Sequence, residues 1–293
     1  MEMVLVDLSS ANLRHIAQQL YDAIVEAGRN ALQVQISPRI FNAREALSVD
    51  TSQTYRELVT ASVDEDVLRF MRHKVDSIAP LDGYWEEVGT SRRPGGHYWC
   101  IGKVDGAINF VRNMSEWTLT LSLFEINETG AAYPILGIVH APALGMTYLA
   151  VRSEGAIRIR HTSSGDKRQR IIPTTTRTLA GSVVSFGMSY FAQEPRRAID
   201  AVARMAGLPA DIKRIGPASL DLCKVADGTY DAYFEPTLHH WDIPAVSAGS
   251  IIVWESGARL RRWDDSEINW YENNDIVASN GLITDELQKY LIQ

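Results

Sequence analysis

Four acidic features stand in loops or at the ends of sequence elements: the pair Glu86-Glu87, Asp105, Glu235 and Asp242. Binding and catalytic groups concentrate at such places because a rigid scaffold can aim them from there. Carboxylates from three or four separate segments, brought to one cleft, would bind Mg²⁺, a hard cation that takes oxygen ligands and keeps several of its waters. Asp105 has the most informative surroundings. In residues 99–110, Trp-Cys-Ile-Gly-Lys-Val-Asp-Gly-Ala-Ile-Asn-Phe, apolar residues run up to Ile101, and the carboxylate is followed by Gly106, which is free to take φ > 0. The small side chains of Gly106 and Ala107 leave their N–H groups open to face an anion, as at phosphate-binding turns. Each residue also has an ordinary role to weigh against this chemistry: Asp105 as a solvated turn residue, Glu86 as a loop charge, Glu235 as a strand-end charge and Asp242 as the N-cap of a helix starting at Ile243.

The elements that must position these groups follow from periodicity. Over 10–32, Leu13, Ile16, Ala17, Leu20, Ile24 and Ala27 recur at helical spacing. Residues 33–57 read as a long loop, and a second helix is expected over 65–78, with Asp64, Glu65 and Asp66 in its first turn and Pro80 beyond its end. Strands are expected over 118–125, half-buried because Leu119, Leu121 and Leu123 alternate with Thr and Ser, and over 134–140 and 146–151. The basic stretch 154–170 reads as a solvated hairpin. After Pro173 strands at 182–186, 212–215 and 232–235 alternate with helices at 195–206, 219–226 and 243–256. This pattern predicts a layered α/β protein with a mixed sheet in each half: residues 1–165 carrying the Asp105 turn and 166–293 carrying Asp242, together one unit.

Composition narrows the function classes. Among 293 residues, 45% hydrophobic and 22% charged is ordinary globular usage. The net charge of -7 argues against a general nucleic-acid footprint and favours small-molecule or protein partners. Only Cys100 and Cys223 are present, both in apolar surroundings, so neither a disulfide framework nor a cysteine zinc site is expected, and a reducing, cytoplasmic location fits. The first ten residues lack a basic segment and no run approaches a membrane span, so neither a signal peptide nor membrane attachment is expected.

The motifs keep a recognisable order. Residues 99–110, followed by 118–123, 138–142 and Gly155-Ala156, resemble the first signature of the inositol monophosphatase family, W-x-I-D-P-[IL]-D-G-T-x-N-F. Residues 215–223 and 228–245, with Trp241-Asp242-Ile243-Pro244-Ala245, resemble its second, and Glu86-Glu87 resembles the G-E-E element before the first. The resemblance covers roughly 10–290 and implies the αβαβα sugar-phosphatase fold of inositol monophosphatases and fructose-1,6-bisphosphatases. It also implies Mg²⁺-dependent hydrolysis of a small phosphomonoester of an inositol, sugar or nucleotide, and a homodimer. By position it assigns metal contacts to Glu86, to the carbonyl of Val104, and to Asp105 and Asp242. It assigns the phosphate cradle to Gly106 and Ala107, and contacts to the hydroxyl-bearing part of the substrate to Ala218 and Glu235.

The departures bear on activity. Gly102 stands where the family has the metal-bridging aspartate, Lys103 where it has proline, Ala107 where it has the threonine that helps position the attacking water, and Val63 where it has a further aspartate. Asp64 would compensate for Val63 only if the helix start shifted. Asp82-Gly83 imitates the signature but lacks the downstream Asn-Phe and is read as a decoy. The expectation is therefore at most one weakly held Mg²⁺, on Asp105 and Asp242, with impaired hydrolysis. The alternative is a non-catalytic protein that binds a phosphorylated or polyol ligand, or a protein partner, with Lys103 supplying charge the metals would have given.

Overall fold

The computed structural model describes residues 10–37, 53–80, 82–86, 92–189, 191 and 194–292. Helix α1 (Ser10–Gln35) buries the stripe Leu13, Ile16, Ala17, Leu20, Ile24 and Ala27 that its periodicity predicts. Helix α2 (Gln53–Ile78) begins well before the expected start at Glu65. No glycine or proline lies between Gln53 and Ile78, so nothing local stops the helix, and Asp64, Glu65 and Asp66 sit inside it rather than in its first turn. Of the predicted loop over 33–57, residues 38–52 lie outside the described residues, and both of its ends are helical.

The first sheet runs in chain order: β1 (Gly83–Tyr84), β2 (His97–Ile101), β3 (Leu119–Ile126), β4 (Ala132–Ala141), β5 (Met146–Val151), β6 (Gly155–Arg160) and β7 (Lys167–Arg170). Only β1 and β2 are parallel, so the sheet is mixed as expected. Strand β3 corrects the half-buried reading. Thr118, Thr120 and Ser122 are as buried as the leucines between them, because α1 and α2 pack on the leucine face and a helix pair packs on the other.

That pair is α5 (Ala218–Ala226) and α6 (Ile243–Ser256), which bury Leu220, Leu222, Val246 and Ile251 against both sheets. The second sheet has the order β11-β12-β10-β8-β9, built from β8 (Val183–Phe186), β9 (Asp211–Lys213), β10 (Ala232–Leu238), β11 (Arg259–Arg261) and β12 (Asn274–Ser279). It too is mixed: β8 is parallel to β9 and β10, whereas β12 is antiparallel to β10 and β11. Helices α4 (Pro195–Met205) and α7 (Thr284–Leu291) cover its outer face through Ala198, Ala201, Met205 and Leu287. The result is helix, sheet, helix, sheet, helix, the layering the resemblance implies. The third helix, α3 (Ala107–Val111), is a single short turn after Gly106. Cys100 and Cys223 are buried and unpaired. Among the described residues no helix is long and apolar enough to cross a membrane.

Candidate functional site

Strand β2 ends at Ile101 and hands the chain to the turn 102–106. The turn is pinned on both sides. Gly102 N–H donates to Thr120 O (2.8 Å), Asp105 exchanges backbone hydrogen bonds with Thr118, and Val104 N–H donates to Asp64 Oδ1 at 2.8 Å. Asp64 thus reaches the turn from within α2, while its neighbour Val63 is buried in the apolar core. Gly106 takes φ 84° and ψ 39°, and a Cβ there would stand 3.0 Å from Glu116 O, so the position calls for glycine on both counts. Asn109 Nδ2 donates to Glu116 O (2.6 Å) and Ile215 O (2.9 Å), tying α3 to the segment before α5.

The Asp105 carboxylate points at the start of α5, where Ser219 donates to it from N (3.2 Å) and Oγ (2.6 Å). Burial pushes Asp105 above the usual carboxylate range, and the Ser219 bonds pull it back down. Glu235, on β10, accepts from Tyr233 Oη at 2.5 Å. Burial, then the charges of Asp242 and Asp105, push Glu235 well above the usual carboxylate range. Asp105 and Asp242 are therefore both within electrostatic reach of Glu235. Asp242 closes the 3-10 turn His240–Asp242 and accepts from His239 N–H at 2.9 Å. It occupies the N-cap position of α6, but its side chain makes no cap bond to that helix, so the simple capping role does not hold. Lys103 is exposed beside the turn, and Ala107 and Ala218 open α3 and α5.

Glu86 is exposed, with Oε1 3.7 Å from Cys100 Sγ, and Glu87 lies outside the described residues. Asp82, the decoy, accepts from Trp99 Nε1 at 2.9 Å and holds β2 in place. Two further residues belong to the site. Ser219 is one. The other is Asp221, buried with neither carboxylate oxygen hydrogen-bonded and pushed up to about 7 by burial and by the charge of Asp105. Its sequence signal is an aspartate set between Leu220 and Leu222 in an otherwise apolar helix face.

The layered order, with a mixed sheet in each half, defines the sugar-phosphatase class of fold. A model of the inositol monophosphatase family matches residues 14–293, and the chain belongs to that family. It is similar to the fructose-1,6-bisphosphatase/inositol-1-monophosphatase of Thermotoga maritima, 28% identical over 246 residues that cover 83% of this chain and 85% of that one. The histidinol-phosphatase of Mycobacterium tuberculosis is 31% identical over 247 residues, covering 82% and 86%. The solved structure of Mycobacterium tuberculosis SuhB matches with a TM-score of 0.72 at 25% identity and 98% coverage of each chain.

The donor set does not fit the metal centre that the family resemblance implies. Position 102 contributes no side-chain oxygen, and among the described residues no three His, Cys, Asp or Glu side chains converge as ligands.

Proposed function

We propose that this chain binds a small phosphomonoester of a sugar, inositol or nucleotide at the 102–107 turn and the facing start of α5, and that its hydrolysis is strongly impaired. The observation that carries the reading is Gly102, a position without a side chain where the family pattern has a bridging carboxylate. Asp105 and Asp242 remain as a two-carboxylate pair that supports at most one weakly held Mg²⁺. In this reading the N–H groups of Gly106 and Ala107 face the phosphate, and Lys103 adds positive charge beside them. Glu235, with its proton held more tightly than an ordinary carboxylate's, and the Ala218 backbone face the hydroxyl-bearing part of the ligand. Ala107 has no hydroxyl with which to orient a water, a loss on the order of 10² to 10⁴ in rate if it acts like other proton-positioning groups. Phosphatase relatives support the ligand class. The buried, unpaired Cys100 and Cys223 support a reducing, cytoplasmic setting, and the family resemblance supports a homodimer.

A working Mg²⁺-dependent phosphomonoesterase is the second reading, favoured by the charges of Asp242 and Asp105 acting on Glu235. Assays of inositol phosphates, sugar phosphates and 3'-phosphoadenosine 5'-phosphate with Mg²⁺, paired with binding calorimetry, separate the two. Binding without turnover is the expected result. Turnover on the order of 1 s⁻¹, an ordinary enzymatic rate, would establish the second reading, and the absence of binding by any of them would overturn the ligand class.

A further inference from the structure

Just past the Ile101–Leu121 pair, Gly102 faces Thr120 across a backbone hydrogen bond, N–H to O at 2.8 Å. Opposed Cβ atoms in an antiparallel pair ordinarily stand about 4.5–5.5 Å apart. A Cβ at position 102 would lie 3.3 Å from Thr120 Cβ and 3.4 Å from Thr120 O, and would overlap Thr120 Oγ1 outright. Thr118, Thr120 and Ser122 alternate onto one face of β3, toward the α5–α6 layer. The outer two hydroxyls of that row are partnered, Thr118 with Ser219 (2.7 Å) and Ser122 with Ser247 (2.8 Å). The middle one, Thr120 Oγ1, is buried and has no hydrogen-bond partner. It fills the volume through which a side chain at 102 would leave the backbone.

We infer that Gly102 and Thr120 are a matched pair, with Thr120 as a plug that closes the position where the family carries its bridging aspartate. The inference rests on the reading of position 102 given above. Two residues, not one, then hold the site in its carboxylate-free form, and restoring the aspartate alone does not restore a metal centre. Rotation about χ1 carries Oγ1 off the position, but it costs the β-branched side chain a change of its preferred rotamer, and the 3.3 Å Cβ approach stays whichever rotamer Thr120 takes.

The test uses the full chain with Gly102→Asp, Thr120→Ala and the double variant, read by thermal melting and by Mg²⁺ calorimetry. Overpacking is expected to lower the melting temperature of Gly102→Asp by about 5 °C. Adding Thr120→Ala is expected to recover at least half of that loss and to tighten Mg²⁺ binding about tenfold over Gly102→Asp alone, one added charged ligand's worth. Gly102→Ala with and without Thr120→Ala reads the overlap without a new charge, should the aspartate itself unfold the chain. The pairing is overturned if Gly102→Ala melts with the wild type, if Thr120→Ala fails to relieve it, or if Gly102→Asp alone reaches the Mg²⁺ affinity of the double variant. Two-site Mg²⁺ binding by the wild type would instead overturn the impaired-site reading, and the melting series would still decide the pairing.

Discussion

Ser219 Oγ donates to the Asp105 carboxylate at 2.6 Å and lies 2.7 Å from Thr118 Oγ1. A serine has one hydroxyl proton, so with that proton on the carboxylate, Thr118 is the donor to Ser219. One hydroxyl thus joins the 102–106 turn, strand β3 and helix α5. It also holds Asp105 nearer its ionised form against burial. Ser219→Ala is expected to cost about 1–3 kcal/mol of stability by leaving a buried carboxylate short of a donor. It should also raise the pH at which Asp105 titrates. Denaturant unfolding and carboxyl-resolved NMR titration read the two effects, and an unchanged titration would mean the bond does not govern the charge.

Asp64 holds the same turn from the other side through Val104 N–H. Asp64→Ala strands a buried donor and is expected to cost about 1–3 kcal/mol, whereas Asp64→Asn keeps an acceptor and recovers most of it. Equal losses in the two variants, measured by denaturant midpoint, would show that charge rather than the hydrogen bond matters.

Asp221 titrates at about 7 instead of 3.8, so the folded state favours its protonated form. A carboxylate raised in this way subtracts stability as pH climbs from about 4 to 7, the reverse of a paired surface aspartate. Asp221→Asn should leave stability at pH 4 nearly unchanged and raise it at pH 8, by on the order of 4 kcal/mol for a shift of this size. A variant no more stable than the wild type at pH 8 counts against a charged, unpartnered Asp221.

His140 lies at the head of a chain of hydrogen bonds: its Nδ1 meets Thr147 Oγ1 (2.8 Å), Thr147 meets His161 Nε2 (2.9 Å), and His161 Nδ1 meets Asp166 (2.9 Å). Burial, then the His161 charge, push His140 down from 6.5 to about 3. The neutral ring is the folded form, so this contribution is complete above pH 6.5 and is lost as pH falls from there toward 3. The loss amounts to on the order of 5 kcal/mol over that window. His140→Gln should be less stable at pH 7 yet flatter between pH 6.5 and 4; an unchanged slope in equilibrium unfolding would place the acid sensitivity elsewhere.

Much of the fold is legible along the chain because local spacing reports it. The limits of β5 and α6 match the periodic reading residue for residue, and the Asp105-Gly106 pair foretells a turn that needs positive φ. Three C-terminal elements, β11, β12 and α7, were absent from that reading. Strand β11 is only three residues long, too short for a periodicity to develop, and β12 is flanked by Asn273 and Asn280, which read as loop. The half-buried reading of β3 failed for a different cause. Alternation of Leu with Thr and Ser describes two chemical faces, but α6, distant in sequence, covers the polar one.

The site divides along the same line. Residue types and their order were enough to assign the family and to mark Gly102 and Ala107 as departures from its pattern. Through-space geometry alone decided that Asp64 grips Val104, that Ser219 serves Asp105, that Asp221 is buried without a partner, and that Thr120 fills the space beside Gly102. Each of these depends on which side chains from different elements meet once the layers pack. Local sequence carries helix and strand periodicity and turn conformation, whereas charge shifts, stranded hydroxyls and closed volumes arise only when distant segments exclude water together.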